Sequence, residues 1–308
     1  MERGGYVPML CSRCTEEAVT YIRYSGAYLC PEHFMEFFEK RVYKDFRKQL
    51  DIKGGKCIAV AVSGGKDSLV TLHLLHDILK QRRDCKMVGI TIDEGIKGYR
   101  HSSVDLAVKE YEKLNIDYRI VSFRDHFKFT LDQVAHRGMP CSTCGVLRRW
   151  LMNTTAKRLG ADHLATGLNL DDIAQSILMN FCRGDVEKLS RMGPHEKVKE
   201  GLVPRLAPLR RCPENESYLY AMYAGIPIHD LECPYADEAL RGVYRDVLGT
   251  LEDNTPGTKY AVLSSYDKLM DSMEVETVPL DSCEKCGEPT SGGLCKACEI
   301  LESVRKDS

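Results

Sequence analysis

Ser63-Gly64-Gly65-Lys66-Asp67-Ser68 is the stretch that decides the fold, because of what lies on either side of it. The apolar run at residues 58–62 predicts a buried strand, and apolar residues at helical spacing from Leu69 to Ile78 follow the loop. A strand, a glycine loop and a helix in this order point backbone N–H groups and the positive end of a helix dipole at one spot. The sequence therefore predicts an oligophosphate site in the loop.

The residue types in this loop suit a phosphate ligand. Gly64 and Gly65 allow a close backbone approach, Ser63 and Ser68 offer hydroxyls, and Lys66 adds a positive charge. The GxxxxGK[ST] spacing of a Walker A loop is missing, which argues against a kinase or a GTPase. An incidental Gly-Gly turn between a strand and a helix is the alternative interpretation.

The composition indicates a globular chain with metal chemistry. With 308 residues and 43% hydrophobic content, the chain predicts about two domains and a sizeable core. We expect a cytoplasmic protein with no membrane partner, because no apolar run nears the roughly 20 residues of a span and no export signal is visible. The 14 cysteines therefore favour metal or sulfur chemistry over disulfides. A net charge of −2 confines any nucleic-acid surface to a local patch.

Two cysteine-rich segments have the spacing of structural zinc sites, and coincidental free thiols are the alternative. The first, in a module over residues 1–36, is Cys11-x2-Cys14 followed by Cys30-x2-His33. The second, in a zinc ribbon over residues 280–302, is Cys283-x2-Cys286 followed by Cys295-x2-Cys298. Four protein ligands close a zinc site, so we expect two structural Zn²⁺ ions that take no part in catalysis.

A third set of cysteines predicts a reactive site rather than a structural metal site. Cys141-x2-Cys144 begins a predicted helix, where a thiolate is favoured. This pair is ambiguous among zinc, a redox dithiol and an iron–sulfur cluster. Cys233 is the candidate third ligand, and three thiolates would leave one iron of a 4Fe-4S cluster, or one metal position, without a protein ligand. The remaining cysteines are predicted to pack in the core: Cys57, Cys85, Cys182 and Cys212. This interpretation is weaker for Cys182 and Cys212.

Apolar runs at residues 58–62, 87–92, 118–121 and 163–166 predict strands that alternate with helical patterns. This order predicts an α/β fold, with a parallel sheet covered by helices on both faces over residues 56–265. A linker helix over residues 37–55 precedes it; its apolar stripe favours docking on that domain over binding RNA. Ligands of such sheets lie beyond the carboxyl ends of the strands. There the sequence has the glycine loop, Asp93-Glu94-Gly95 and the turn from Asn169 to Asp172. Asp171 is either a helix cap or a site residue, whereas Asp172 suits Mg²⁺ binding or proton transfer.

Basic residues are candidates for a phosphate-backbone surface. Pro204, Pro208 and Pro213 bracket a predicted loop whose arginines could follow an RNA backbone. A solvated charged face is the alternative for each segment. The basic residues concerned are Arg205, Arg210 and Arg211 of the loop, together with Arg148, Arg149, Lys157 and Arg158.

These motifs resemble known families. SGGKDS resembles the PP-loop of ATP pyrophosphatases, which cleave ATP to AMP and pyrophosphate while adenylating an oxygen. The ordered set of motifs is similar to that of the TtuA/NcsA family of tRNA 2-thiouridine synthetases. It comprises SGGKDS, Pro140-Cys141-x2-Cys144-Gly145, Thr166-Gly167-x-Asn169-x-Asp171-Asp172, Arg183-Gly184-Asp185, Cys233 with Ala239-x-Arg241-Gly242, and both zinc modules.

The resemblance implies an adenine nucleotide alpha hydrolase-like fold and ATP-dependent adenylation of the C2 oxygen of a tRNA uridine, followed by sulfur transfer. It implies that Cys141, Cys144 and Cys233 hold a 4Fe-4S cluster, and that Asp172, Cys141, Cys233 and Arg148 are catalytic. The partners it implies are tRNA, a second copy of the chain, and a sulfur donor that is sulfide or a ubiquitin-like thiocarboxylate carrier. The residues it implies for ATP with Mg²⁺ are Ala61, Ser63, Gly64, Gly65, Lys66, Asp67, Ser68, Ile92, Gly167 and Asp172.

Arg148-Arg149 resembles the branch that modifies the wobble uridine, whereas the T-loop branch tends to have lysine at the first position. The wobble uridine is therefore the expected substrate and the T-loop uridine the alternative. Leu168 departs from the histidine that is frequent in the family, which weakens any role for that side chain. Three further alternatives are a 2-thiocytidine synthetase, a persulfide or disulfide pair of Cys141 and Cys233 without a cluster, and a non-catalytic zinc-ribbon RNA-binding protein.

Overall fold

The protein is described from a computed structural model. The structure describes residues 9–52, 54–138, 140–190, 192–193, 201–229, 231–236, 241–272 and 281–306. Ala239 of the family motif and parts of both predicted zinc modules lie outside these ranges. No helix in the described ranges is long and apolar enough to cross a membrane.

The N-terminal module consists of a small hairpin and the start of a long helix. Strands β1 (Thr20–Ile22) and β2 (Ala27–Leu29) pair antiparallel, and helix α1 (Pro31–Gln49) follows with proline in its first turn. The helix begins before the predicted linker at residue 37, so one element joins the cysteine cluster to the next domain. Its apolar stripe is buried in the core of that domain, at Phe34, Phe38, Val42 and Phe46.

A five-stranded parallel sheet forms the centre, as the alternation of strands and helices predicts. The spatial order is β5-β4-β3-β6-β7. Its strands are β3 (Cys57–Ala61), β4 (Lys86–Asp93), β5 (Asp117–Ser122), β6 (His163–Thr166) and β7 (Arg205–Leu206). Successive residues of β3 face opposite layers: Ile58 and Val60 lie in one apolar core, and Ala59 lies in the other. Both faces of the sheet are therefore covered.

Helices form both outer layers. Helices α2 (Lys66–Leu79) and α3 (Arg100–Lys113) join α1 in one core. On the other face lie α4 (Phe123–Phe127), α5 (Leu131–Val134) and α6 (Pro140–Arg158). The remaining helices of the central part are α7 (Leu170–Cys182), α8 (Val186–Ser190), α9 (Glu214–Tyr223), α10 (Arg241–Asn254) and α11 (Thr258–Ser272).

The C-terminal ribbon docks on α6. It comprises β8 (Asp281–Ser282), β9 (Pro289–Thr290) and α12 (Lys296–Lys306). Glu288 of the ribbon is buried, and its carboxylate accepts hydrogen bonds from Asn153 Nδ2 at 2.6 Å and Lys157 Nζ at 3.0 Å. Lys157 is thus committed to an ion pair within the protein.

The predicted loop over residues 204–213 contains a two-residue strand and is otherwise made of turns and irregular structure, but its predicted basic surface is wrong at Arg210 and Arg211. Arg205 begins β7, the edge strand beside β6. Arg210 is buried and pairs with Asp267 at 2.8 Å, while Arg211 pairs with both Asp267 at 2.8 Å and Asp45 at 3.1 Å. These two guanidiniums fasten α11 and α1 to the sheet and are neither a solvated face nor a phosphate track.

Two of the four cysteines that were predicted to pack in the core differ sharply in burial. Cys212 is fully buried, as expected for a small apolar side chain. Cys182, the last residue of α7, is exposed and belongs to none of the apolar cores formed by the described residues. Cys57 and Cys85 are half-buried and pack against the two sheet cores.

Candidate functional site

The SGGKDS loop is held in shape by its own hydroxyls. Ser68 Oγ accepts from the backbone N–H of Ser63 at 3.1 Å and donates to the carbonyl of Gly65 at 2.7 Å. Ser63 Oγ accepts from the N–H of Gly65 at 3.2 Å. Helix α2 begins directly after Gly65, so its first N–H groups have no partner within the helix. The loop therefore has the geometry that suits an anion.

Two glycines are required by close contacts. Gly64 has φ +86°, and a Cβ there would lie 2.0 Å from the carbonyl oxygen of Ser103. A Cβ at Gly167 would lie 2.7 Å from the backbone nitrogen of Ser68. The turn after β6 is therefore pressed against the start of α2, which brings two predicted nucleotide-binding segments into contact.

Lys66 is held between two carboxylates. Its Nζ lies 3.0 Å from Asp67 Oδ2 and 2.8 Å from Glu214 Oε1. Burial lowers the pKa of Lys66, but Asp67 and Glu214 outweigh burial and raise it, so the ammonium stays charged. Burial raises the pKa of Asp67, and Lys66 opposes that effect. Glu214 was not predicted; it follows Pro213 at the start of α9, and sequence alone does not indicate which lysine it meets.

The turn before α7 positions the acidic pair. Asn169 is the helix cap, since its side chain accepts from the N–H of Asp172 at 2.9 Å. The cap interpretation of Asp171 is therefore wrong; its carboxylate accepts from the N–H of Glu214 at 2.8 Å and pairs with Lys259. Asp172 lies 3.2 Å from Arg241 Nη1. Burial raises the pKa of Asp172, and Arg241 lowers it in part.

Glu94 lies in the strand-end segment that the sequence placed at the site, but its partners were not predicted. It follows Asp93 at the end of β4, is buried, and pairs with Arg100 at 2.6 Å and Arg148 at 3.6 Å. Arg100 donates in turn to the carbonyls of Ile92 and Ser63. Since Arg148 stands on α6, this chain of contacts joins the glycine loop to the cysteine-bearing helix. The only sequence signal was the position of Glu94 at a strand end.

Cys141 and Cys144 lie at the start of α6, and Cys233 lies in the described range 231–236. Cys141 is exposed, and its thiol donates to the carbonyl of Tyr235 at 3.1 Å, which places the segment after Cys233 against α6. Burial, followed by the nearby charge of Glu94, raises the pKa of Cys144 to about 12; Cys233 and Cys141 also raise it. The three thiols are thus neighbours in one site.

Two cysteine clusters have the geometry of single-ion sites. Within the described ranges, only Cys11, Cys14, Cys30 and His33, and Cys283, Cys286, Cys295 and Cys298, gather at least three His, Cys, Asp or Glu ligand atoms within 4.8 Å of one another. The Sγ atoms of Cys14 and Cys30 lie 3.7 Å apart, and those of Cys286 and Cys295 lie 3.6 Å apart. Tetrahedral Zn–S bonds of 2.3 Å give an edge of about 3.8 Å, which these distances match. Cys141, Cys144 and Cys233 are not among the groups that meet this criterion in the described ranges.

The other predicted nucleotide residues lie around the same strand ends. Ala61 is the last residue of β3 and aligns with Ile90 and Thr166 of its neighbours. Ile92 is buried in β4, and its carbonyl accepts from Arg100 at 2.9 Å. Their contact with a nucleotide stays a prediction.

Two protein-family models match this chain. A family model described as the N-terminal LIM domain of 2-thiouridine synthetase TtuA matches residues 10–35, and a PP-loop domain model matches residues 35–229. The chain belongs to the TtuA/NcsA family of PP-loop tRNA 2-thiolation proteins. It is 38% identical to the tRNA 2-thiolation protein NcsA of Haloferax volcanii, over 96% of this chain and 99% of that protein.

Two further relatives bear on the activity. The tRNA-5-methyluridine(54) 2-sulfurtransferase of Pyrococcus horikoshii is 34% identical, over 95% of this chain and 93% of that protein. The solved structure of the U34-tRNA thiolase NcsA from Methanococcus maripaludis with its [4Fe-4S] cluster superposes with a TM-score of 0.86 at 34% identity, covering 97% of each chain. Family membership confirms the predicted fold class and the sulfurtransferase class of the enzyme.

Proposed function

We propose that this tRNA 2-thiolation enzyme adenylates the C2 oxygen of a uridine with ATP and then replaces that oxygen with sulfur. One observation carries the proposal. Arg100, Glu94 and Arg148 connect Ser63 of the phosphate loop to the helix that bears Cys141 and Cys144. Adenylation acts on the C2 oxygen and sulfur attacks the C2 carbon of the same carbonyl, so the two steps need one shared site.

The chain's own groups support the first step. The loop and Lys66 would bind the β- and γ-phosphates, while the uridine oxygen attacks the α-phosphorus and pyrophosphate leaves. Asp67 would hold Mg²⁺ against these phosphates, which leaves Asp172 free of the metal. Because burial raises the pKa of Asp172, this carboxylate suits proton transfer from the uridine N3 position. AMP then becomes the leaving group for sulfur.

The central cysteines would hold an iron–sulfur cluster. A 4Fe-4S cluster binds each thiolate through a different iron, so Cys141, Cys144 and Cys233 would ligate three irons and leave the fourth without a protein ligand. The M. maripaludis relative with its [4Fe-4S] cluster supports the same assignment. A cluster held by three thiolates would supply an iron that can bind sulfide next to the substrate carbon. The chain's two tetrahedral clusters would each hold Zn²⁺.

The wobble uridine of tRNA is the proposed substrate. Arg148 supports it as the residue that resembles the wobble branch, and the M. maripaludis relative is a U34-tRNA thiolase. The P. horikoshii relative acts at position 54, so the T-loop uridine is the competing outcome. We further propose sulfide or a thiocarboxylate carrier as sulfur donor, a homodimer, and the cytoplasm as the location.

The experiment uses anaerobic protein with unmodified tRNA, ATP and sulfide. Nucleoside mass analysis should detect 2-thiouridine, and the nucleotide products should be AMP and pyrophosphate. Asp67→Ala and Ser63→Ala should abolish turnover while the far-ultraviolet circular dichroism stays unchanged. ADP with phosphate as products would refute adenylation. Sequencing of ribonuclease fragments assigns the modified position, and thiolation confined to the T-loop would refute the wobble assignment alone.

Metal analysis tests the cysteine assignments. Cys233→Ala should lower iron and the broad absorbance near about 400 nm that cluster thiolates give, while zinc stays constant. Full iron and activity in this variant would exclude Cys233 as a ligand. A persulfide pair without a cluster predicts activity in iron-free protein.

A further inference from the structure

A groove without an assigned role runs beside the ribbon, away from the phosphate loop. It consists of two cavities of about 210 and 360 Å³ that share His126. The first lies between β5 and the C-terminal half of α6, and the second lies between α4, α6 and the ribbon. We call it the ribbon groove and define it by Arg119, His126, Phe127, Trp150, Arg158 and Arg305.

Aromatic rings line the middle of the ribbon groove. The ring centroids of His126 and Trp150 lie 5.2 Å apart, and those of Phe127 and Trp150 lie 5.8 Å apart. All three side chains are half-buried, so part of each ring is open to solvent. Trp150 is the one tryptophan of the chain. Such a partly exposed aromatic group can stack on a planar ligand.

The charges along the ribbon groove are mainly positive. Arg119, Arg158 and Arg305 are exposed, and each has no carboxylate partner in the part of the chain that the structure describes. Lys285 pairs with Glu302, which cancels one further cation. Burial lowers the pKa of His126, and the nearby charges of Arg158 and Lys128 lower it further. The field around the rings therefore favours an anion.

The ribbon groove lies outside the proposed reaction centre. Helix α6 rises by about 1.5 Å per residue, so Trp150 and Arg158 stand roughly 13 and 25 Å along the helix from Cys141. A ligand there would not touch the reacting uridine. It would contact another part of the same macromolecule.

We propose that the ribbon groove binds an unpaired nucleotide of the tRNA, with its base against Trp150 and Phe127 and its flanking phosphates at Arg119, Arg158 and Arg305. Single-stranded RNA is bound by aromatic stacking platforms next to cationic grooves, which is the combination present here. An apolar peptide would leave three arginines without partners. This inference rests on the proposed function, because it takes tRNA as the substrate.

Trp150 gives a direct readout that does not require activity. Titration of the full-length protein with an eight-nucleotide uridine RNA, and separately with tRNA, should quench the intrinsic fluorescence through base stacking. ATP alone should leave the fluorescence unchanged. Binding of tRNA without any change in Trp150 fluorescence would overturn the proposal, and quenching by ATP alone would assign the groove to a mononucleotide instead.

Charge variants provide the second test. Arg158→Ala and Arg305→Ala should each weaken tRNA binding and lower the slope of log K against log salt by about 0.7. Phe127→Leu keeps an apolar side chain but loses the stacking face, and should raise the Kd by roughly 5- to 150-fold. Arg83→Ala changes an exposed arginine that lines neither cavity and is the matched control.

The two proposals fail in different ways. If Arg158→Ala, Arg305→Ala and Phe127→Leu all keep the wild-type tRNA affinity, salt slope and thiolation, the proposal for the ribbon groove is wrong and the proposed reaction is unaffected. Normal RNA binding and Trp150 quenching without any 2-thiouridine would instead overturn the proposed reaction. Unchanged RNA binding together with lost binding of a carrier protein would assign the groove to that protein.

Discussion

Replacement of Glu288 by alanine tests how the ribbon is held on α6. The Glu288 carboxylate bonds to Asn153 Nδ2 at 2.6 Å and to Lys157 Nζ at 3.0 Å. Asn153 is buried; its Oδ1 accepts from the N–H of Val203 at 2.9 Å, and its Nδ2 also donates to the carbonyl of Gly201 at 3.2 Å. The carboxylate therefore joins the ribbon, α6 and the segment that leads into β7.

The magnitude follows from these contacts. A buried hydrogen bond to a charged group contributes about 1.5–3 kcal/mol. Asn153 Nδ2 keeps Gly201 as a partner, so we take the lower part of that range, about 2 kcal/mol. Lys157 is 40% exposed, and solvent screening limits its ion pair to about 0.5 kcal/mol. Glu288→Ala should therefore lower the free energy of unfolding by about 2 kcal/mol, and Lys157→Ala by about a quarter of that.

The assay is urea unfolding of the zinc-loaded protein, followed through Trp150 fluorescence, which reports on α6 beside the ribbon. Glu288→Gln, the matched variant, keeps an acceptor for Asn153 but loses the charge, and should fall between wild type and Glu288→Ala. Zinc content should be equal in all variants, because the cysteine ligands are intact. Equal loss in Glu288→Ala and Lys157→Ala would refute the assignment of the buried bond as the main contact.

Three further outcomes follow from the site. Gly64→Ala should abolish ATP binding in calorimetry without loss of the fold, because its Cβ would meet a backbone oxygen at 2.0 Å, whereas Gly98→Ala, with φ +77° and open space, should still bind ATP. Arg241→Gln should move the acidic limb of AMP formation to higher pH: burial raises the pKa of Asp172, Arg241 lowers it, and its removal lets protonation begin sooner as pH falls. An unshifted limb would exclude Asp172 as the titrating group. Cys283→Ser should release ribbon zinc in metal analysis yet leave iron in place, and a parallel fall in iron would show that the cysteines are wrongly grouped.

The sequence predicted those features that depend on residues close together in the chain. The glycine loop, the two tetrahedral clusters and four of the five central strands are each encoded within a short window. Strand β7 was missed because two residues next to a proline carry no period. Its strand character comes from pairing with β6, which is a tertiary property.

Ion-pair partners could not be predicted from the sequence because they too depend on the tertiary structure. Arg211 meets Asp45 across 166 residues of chain, and Lys66 meets Glu214 across 148. A basic run looks identical whether its counter-ions are phosphates or distant carboxylates. The buried Glu94 likewise acquires its meaning only when α3 and α6 both bring arginines to it.

Helix α1 also has a consequence for solubility. It is 19 residues, or about 28 Å, long, and its last residue, Gln49, both donates to the carbonyl and accepts from the N–H of Ala207. A side-chain amide thus takes the two bonds that an incoming strand would seek beside β7. Open sheet edges template aggregation between chains. Removal of the N-terminal module together with α1 would therefore expose unpaired backbone groups at the β7 edge of the sheet. The shortened protein should then self-associate through this edge.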